Sequence, residues 1–250
     1  MISRPTLQDP HALARVTSLV RVTSLVRLRT PRSGVTLRAI TCGAIASATF
    51  VGAAACAPRI QPMPGVAPAT ITLPPLTVAP TPQRVTFRWE LNDGDMVARG
   101  DGVARIAPPD SVRVDLFLGG GFGRAAAAIL IGDSVRVPPG GESEAGLLPP
   151  PPLMWAAFGR LAVPPLADTV VRVSGDTIRA ELGHPARWRL VAAQDQLLRL
   201  ERISGDRIVE WVQRTPGREV RYELSGRRSL VLHVDAQQPS APFDASVWHF

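Results

Sequence analysis

After residue 83, apolar and polar side chains alternate with a period of two through most of the chain. At 111–118 (SVRVDLFL), Val112, Val114, Leu116 and Leu118 fall on one side, against Arg113, Asp115 and Phe117. At 218–224, Val220, Tyr222 and Leu224 oppose Glu219, Arg221 and Glu223. Successive side chains of a strand point to opposite faces, so each segment has one dry face and one wet face. The same texture predicts strands at 84–91, 96–107, 111–118, 125–131, 134–137, 169–173, 177–182, 187–192, 197–203, 207–213, 218–224, 229–235 and 247–250. Asn92-Asp93-Gly94-Asp95, Gly132-Asp133-Ser134, Ser174-Gly175-Asp176, Ser204-Gly205-Asp206 and Ser225-Gly226 sit between them at hairpin spacing. No crossover helix fits such gaps, so the strands form an antiparallel meander.

One stretch breaks the pattern. Residues 142–165 (ESEAGLLPPPPLMWAAFGRLAVPP) stop the sheet with four consecutive prolines. Over 153–161 the spacing then becomes helical, pairing Leu153 with Ala157 and Met154 with Phe158 and Leu161. Pro164 and Pro165 end the segment, Trp155 adds apolar surface outside the stripe, and Arg160 is its only charge. A helix that is apolar nearly all round must be covered on more than one side.

Upstream of the strands the pattern is different again. Residues 39–55 carry no charge and follow an arginine-rich leader containing a tandem RVTSLV hexapeptide, in which two copies are too few for a solenoid. The run ends in Ala53-Ala54-Ala55 before Cys56, the arrangement of a secretory signal, and predicts that residues 1–55 are a lipoprotein signal peptide. A plain cleaved signal and an uncleaved anchor are the alternatives, and all three export the domain. Residues 57–83 hold prolines at 58, 62, 64, 68, 74, 75, 80 and 82. Proline favours extended polyproline II, so 56–83 is expected to be a lipid-anchor cysteine and a semi-rigid tether holding residues 84–250 off a bilayer.

Charge and cysteine content refine this division. The net charge of +7 suggests an acidic partner until it is read by region. Seven arginines and one acid, Asp9, lie in residues 1–55, against 21 arginines and 20 acids in 56–250, so the basicity belongs to the leader and no nucleic-acid partner is expected. Of the two cysteines, Cys42 falls in the apolar run and Cys56 at its end, which leaves the exported domain no thiol for a disulfide, a metal or a nucleophile. Its stability must come from an apolar core, for which residues 84–250 are long enough.

Candidate chemistry is sparse. The Asx-Gly clusters lack the alternating carboxylates of a calcium loop and read as hairpin turns. Residues 119–123 (GGGFG) precede no Lys-Ser/Thr and read as a strand connection presenting Phe122, not a phosphate loop. Ser143 lacks nucleophile-elbow spacing, His184 precedes a proline, His233 alternates with Leu232 and Val234, and His249 is next to the last residue. No catalytic residue, metal site or cofactor is expected. What calls for explanation is the set of large apolar side chains Leu118, Phe122, Met154, Trp155, Phe158, Trp188 and Trp211, which either fill a core or line a concave apolar site.

Residues 103–109 followed by DSVRVDLFLGGGFGRAAAAILIGDSVRV resemble the early hairpins of the LolA/LolB lipoprotein-carrier superfamily. LMWAAFGRLAVP (153–164) is similar to the helix that closes the lid in LolB-like proteins, PFDASVWHF (242–250) to the family's late Phe-bearing strand, and the end of the apolar run at Cys56 to a bacterial lipobox. The resemblance implies a mainly β fold, an incomplete antiparallel β-barrel closed by a short lid helix, with a cavity for acyl chains or lipoproteins. It implies acylation of Cys56, ligand contacts from Leu118, Phe122, Met154, Trp155, Phe158 and Leu161, and membrane insertion by the protruding Leu118 or Phe122. It also implies the periplasmic face of the outer membrane, toward which Ala57, in place of Asp after Cys56, points as well. The expectation is a monomeric, non-enzymatic envelope protein binding acyl chains or passing lipoproteins to a membrane. A structural or protein-interaction lipoprotein with a filled core is the alternative, and an envelope hydrolase the remote one.

Overall fold

The computed structural model describes residues 57–250, apart from 71–72, 95, 121–122, 142–144, 147, 164–165 and 186. The leader, the apolar run and Cys56 lie outside the described residues, as do Phe122, Ser143, Pro164 and Pro165. Five strands come first: β1 (Gln83–Asp93), β2 (Met96–Ala107), β3 (Ser111–Leu118), β4 (Arg124–Ile131) and β5 (Ser134–Arg136). Helix α1 (Pro151–Ala157) follows. Seven more strands complete the order: β6 (Val170–Ser174), β7 (Thr177–Leu182), β8 (Trp188–Ala193), β9 (Gln196–Ser204), β10 (Arg207–Thr215), β11 (Glu219–Leu224) and β12 (Arg228–Pro239). The apolar–polar alternation placed each of these twelve to within a few residues.

All twelve strands belong to one antiparallel sheet in the order β5-β4-β3-β2-β1-β12-β11-β10-β9-β8-β7-β6. Chain neighbours pair through short hairpins, and β12 returns to pair with β1 along the whole of that strand. The edges are therefore β5 and β6, which are not paired with each other. The connection between them carries α1. Bulges interrupt the register at Thr86/Phe87, Leu116/Phe117, Val191/Ala192 and Ile208/Glu210. Each extra residue bends its strand and increases its twist, and bending of this kind lets a long meander curl round an object on one face. That object is α1.

The inner face shows why these residues make these strands. On β1, Val85, Phe87 and Trp89 are buried while Arg84, Arg88 and Glu90 are not. The Phe87 ring lies where a Cβ on Gly102 of β2 would be, only 2.2 Å from the nearest ring atom, so that position accepts no side chain without displacing the ring. Buried residues of β1–β4 form one apolar cluster with Met154 and Trp155 of α1, and those of β6–β11 form a second with Leu153 and Ala156. The helix is the common wall. No helix among the described residues is long and apolar enough to cross a membrane.

Three expectations are corrected. Residues 247–250 are not a strand: Ala245–Trp248 is a 3-10 turn capped by Asp244, whose Oδ1 accepts from the Ser246 N–H at 2.8 Å. Helix α1 begins at Pro151 and ends at Ala157, short of the expected 153–161, because proline is well suited to the first helical positions and Gly159 turns the chain out at φ 90°. The described part of 57–83 is extended, but it is packed on the domain and not held away from it. The Ile60 N–H donates to Asp206 O at 2.9 Å, Val66 exchanges two hydrogen bonds with Val173 on edge strand β6, and Leu76 and Val78 are buried in the two apolar clusters. Proline supplies no donor, yet the residues between the prolines keep theirs and spend them on the sheet.

The outer face is fastened by charge. Asp115 of β3, almost wholly buried, accepts from Arg105 Nη1 at 2.7 Å and from Arg113 Nε at 3.0 Å, with Arg124 Nε at 3.7 Å. Arg113 also donates to the backbone oxygens of Val247 (2.8 Å) and His249 (3.1 Å) and lies over the Phe250 ring, which ties the C-terminal segment to β3. Burial pushes the Asp115 carboxyl upward, but the Arg113 hydrogen bond and the charges of Arg113, Arg105 and Arg124 together hold it below its ordinary value.

A folded-state value below the ordinary one means that the carboxylate stabilises the fold at neutral pH. That contribution fades once pH falls below the ordinary 3.8 and is gone below the folded-state value. Asp115→Asn is expected to cost about 3 kcal/mol at neutral pH, by leaving arginines without their anion. Urea melts of wild type and variant should differ most near neutrality and converge in acid. Parallel curves at every pH would refute the assignment.

Candidate functional site

The site is built around the exit of helix α1. Leu153, Trp155 and Ala156 are buried to 1% exposure or less, and Met154 to 7%. The Trp155 indole donates to Gly132 O at 2.7 Å, and the Arg160 guanidinium covers its ring at 4.5 Å from the centroid. Both polar and apolar parts of this side chain are therefore satisfied inside the protein. Ala157 and Phe158, on the remaining side of the helix end, face open space.

Two chambers meet there. The inner one, about 90 Å³, is lined by Val114 and Leu116 of β3, Ala126, Ala127 and Ala128 of β4, Leu148, Met154, Val212, Tyr222 and Leu230. Apart from the Tyr222 phenol, its side chains carry no polar atom. The outer one, about 380 Å³, is lined by Val85, Phe87, Ile106 and Val234, by Thr77, Val78 and Ala79 of the N-terminal segment, and by Asp195, Gln196, Arg214, Thr215, Pro216 and Gly217. Ala157, Phe158, Val220 and Leu232 line both chambers, so Phe158 stands in the partition between them.

Strand direction orients this channel. The outer chamber is lined by the first residues of β1, the last of β12, and the β8–β9 and β10–β11 turns, which lie together at one end of the sheet. The inner chamber runs from there toward the opposite end, where ion pairs accompany Tyr222. Arg202 Nη2 meets Glu210 Oε1 at 2.5 Å, and Arg228 Nη2 meets Asp93 Oδ2 at 2.9 Å. A polar end, an apolar chamber and a chamber of mixed polar and apolar walls succeed one another along the axis.

Arg214 stands at the mouth. Its Nη1 donates to Leu197 O at 3.1 Å, while its buried Nε has no partner. The guanidinium lies against Gly159, where an added Cβ would come 2.5 Å from Nη1. Burial pushes it below its ordinary value. It nevertheless keeps its charge, as arginine does in proteins.

The structure brings together only part of the set named from sequence. Met154 lines the inner chamber and Phe158 both chambers. Trp155 is enclosed on the far side of the helix, and Leu161 packs against the second apolar cluster with its N–H on Leu76 O at 2.9 Å; neither lines the channel. Leu118, 38% exposed at the tip of β3, sits at the end of the sheet away from the mouth. Trp211 is on the outer face beneath Arg199, and Trp188 packs against the second apolar cluster. Cys56 and Phe122 lie outside the described residues. The alanines of β4, Tyr222 and Arg214 were not picked out from sequence. Arg214 had a signal, since Glu210, Val212 and Arg214 share one strand face and a charge on a dry face needs a reason. No cluster of three or more His, Cys, Asp or Glu among the described residues could hold a metal.

No family profile and no curated protein matches this sequence. Among solved structures, the chain is similar to a LolA superfamily protein from Nitrosomonas europaea at 13% identity and a TM-score of 0.43, over 69% of this chain and 92% of that one. It is similar also to a DUF1329 family protein from Desulfovibrio piger ATCC 29098 at 10% identity and a TM-score of 0.39, over 68% and 90%. The class is defined by the geometry itself: a mainly β protein whose unclosed, curved antiparallel sheet wraps the short helix α1.

Tyr222 is the chain's single tyrosine and so reports on the inner chamber. Burial, and next the Glu210 carboxylate, push its phenol up to about 12, against the pull of Arg228 and Arg202. Ultraviolet titration of the native protein should show only about a tenth of the phenol ionised at about pH 11, and in urea ionisation near the ordinary value. The neutral phenol's contribution to stability is complete below pH 10 and is lost as pH rises through about 12. Native ionisation near the unfolded value would mean that the chamber is wet.

Proposed function

We propose that this chain is a lipid-anchored protein of the bacterial cell envelope that binds an acyl chain in the channel beside α1 and serves lipid or lipoprotein transfer at the outer membrane. The observation that carries the reading is the adjacency of the two chambers on either side of Phe158, which share Ala157, Phe158, Val220 and Leu232 as walls. An outer chamber of about 380 Å³ is in the range of small-molecule sites. An acyl chain needs a long apolar slot and few hydrogen bonds, which is what these walls offer.

The anchor rests on the apolar run and Cys56, and a feature of the fold supports it. Ala57, the neighbour of Cys56, accepts from Arg207 Nη1 at 3.0 Å beside the β9–β10 turn. That turn lies at the same end of the sheet as the exposed Met96, Val97, Phe117 and Leu118. Acylation of Cys56 would turn this end toward a bilayer and leave the mouth facing away from it. Non-enzymatic action is part of the proposal.

One observation favours the second reading, an interaction lipoprotein with a filled core: the inner chamber, at about 90 Å³, holds little more than a few waters. Native mass spectrometry and displacement of a fluorescent acyl probe decide between the two. Wild type should bind the probe, and Ala126→Leu, which fills the inner chamber, should weaken binding about tenfold, or ~1.4 kcal/mol, with little change in melting. A folded protein that carries no lipid and binds no acyl probe is the filled-core protein.

A further inference from the structure

The channel has a direction, and Arg214 gives it one. Resting on the acyl-binding reading above, we propose that Arg214 recognises the anionic head group of a single-chain amphiphile, a carboxylate or a phosphate, seated at the mouth with its chain running past Phe158. Arg214 follows Val212 by two residues on β10, so the strand's alternation aims it into the channel and not outward to water. The outer-face arginines behave differently: Arg105, Arg113, Arg189 and Arg199 each have a carboxylate partner.

Arg214 has none. The Leu197 carbonyl takes one of its five N–H donors. Its Nε is buried without an acceptor, and no carboxylate among the described residues lies within ion-pair distance. Asp195 lines the same mouth but does not pair with it. A half-satisfied, partly desolvated guanidinium is costly to fold around. An oxyanion in the outer chamber would accept charge-assisted bonds, the strong kind, from the terminal Nη groups of the guanidinium.

The surroundings favour one head group on one chain. Gly159 packs so closely that the guanidinium cannot swing toward the helix, and Pro216 and Gly217 close the other side of the mouth. Beyond the mouth the walls are apolar to the level of Tyr222, where Arg202 and Arg228 are already engaged by the carboxylates of Glu210 and Asp93. An anionic head at that far end meets arginines already held by carboxylates; at the mouth it meets Arg214.

Laurate, dodecyl phosphate and dodecanol, which share one chain, test this with the purified full-length protein by calorimetry below micelle formation. Wild type should bind laurate, dodecyl phosphate or both at least about tenfold more tightly than dodecanol, the preference shrinking in high salt. Whichever of the two is preferred identifies the head group. Arg214→Gln should abolish the preference, bringing laurate and dodecyl phosphate down to its own affinity for dodecanol, and Arg214→Lys should retain part of it. Equal affinity of wild type for all three overturns the assignment and leaves the acyl channel standing. A preference that survives in Arg214→Gln also overturns it. Binding of none of the three overturns the channel and the assignment with it. Should Arg214→Gln not fold, the wild-type comparison and its salt dependence still decide.

Discussion

Everything in this domain depends on burying one short helix that has no polar side. Leu153, Met154, Trp155 and Ala156 point in different directions round α1, and each ends in apolar surroundings. A flat sheet can cover one face of a helix, so the sheet must bend until both halves reach it. Long β1 and β12 at the centre, bulges in four pairings and the unpaired edges at β5 and β6 follow from that requirement.

The same requirement explains what happens at the edges and ends. Unpaired strands invite association. Here β5 is only three residues long, and Val66 of the N-terminal segment pairs with Val173 on β6. That segment then enters the interior, where Leu76 and Val78 complete the two apolar clusters and neighbouring residues form one wall of the mouth. The region that looked like a spacer is part of the container.

Charge is divided between the two faces by what lies over them. Outside, the acids and arginines pair across strands, as Arg189 does with Glu181, or along one strand, as Arg199 does with Glu201, and a carboxylate as buried as Asp115 is held ionised by its arginines. Inside, charge is confined to the two ends of the channel: Glu210, Arg202, Asp93 and Arg228 beyond Tyr222, and Arg214 at the mouth. The apolar stretch between them is what separates a channel from a polar crevice.

The fold was largely legible because a period of two is a local property: Val112 and Val114, or Val220 and Tyr222, declare their face whatever they pack against. The hairpins were legible for the same reason, as was the need to enclose the greasy helix. The site was only half legible. Met154 and Phe158 reach the channel, but Trp155 looks equally apolar in sequence and points the other way, a difference of one helical step that is settled by where Gly132 and Arg160 lie. Residues 247–250 alternate like a strand, yet Arg113 ties their backbone oxygens to β3 and they pair with no strand. Alternation along the chain is thus determined by sequence itself, while the sides of a helix, the course of a proline-rich segment and the partner of a buried arginine are decided by distant residues. Only tertiary structure makes those neighbours, because local spacing carries no information about which surface will stand opposite.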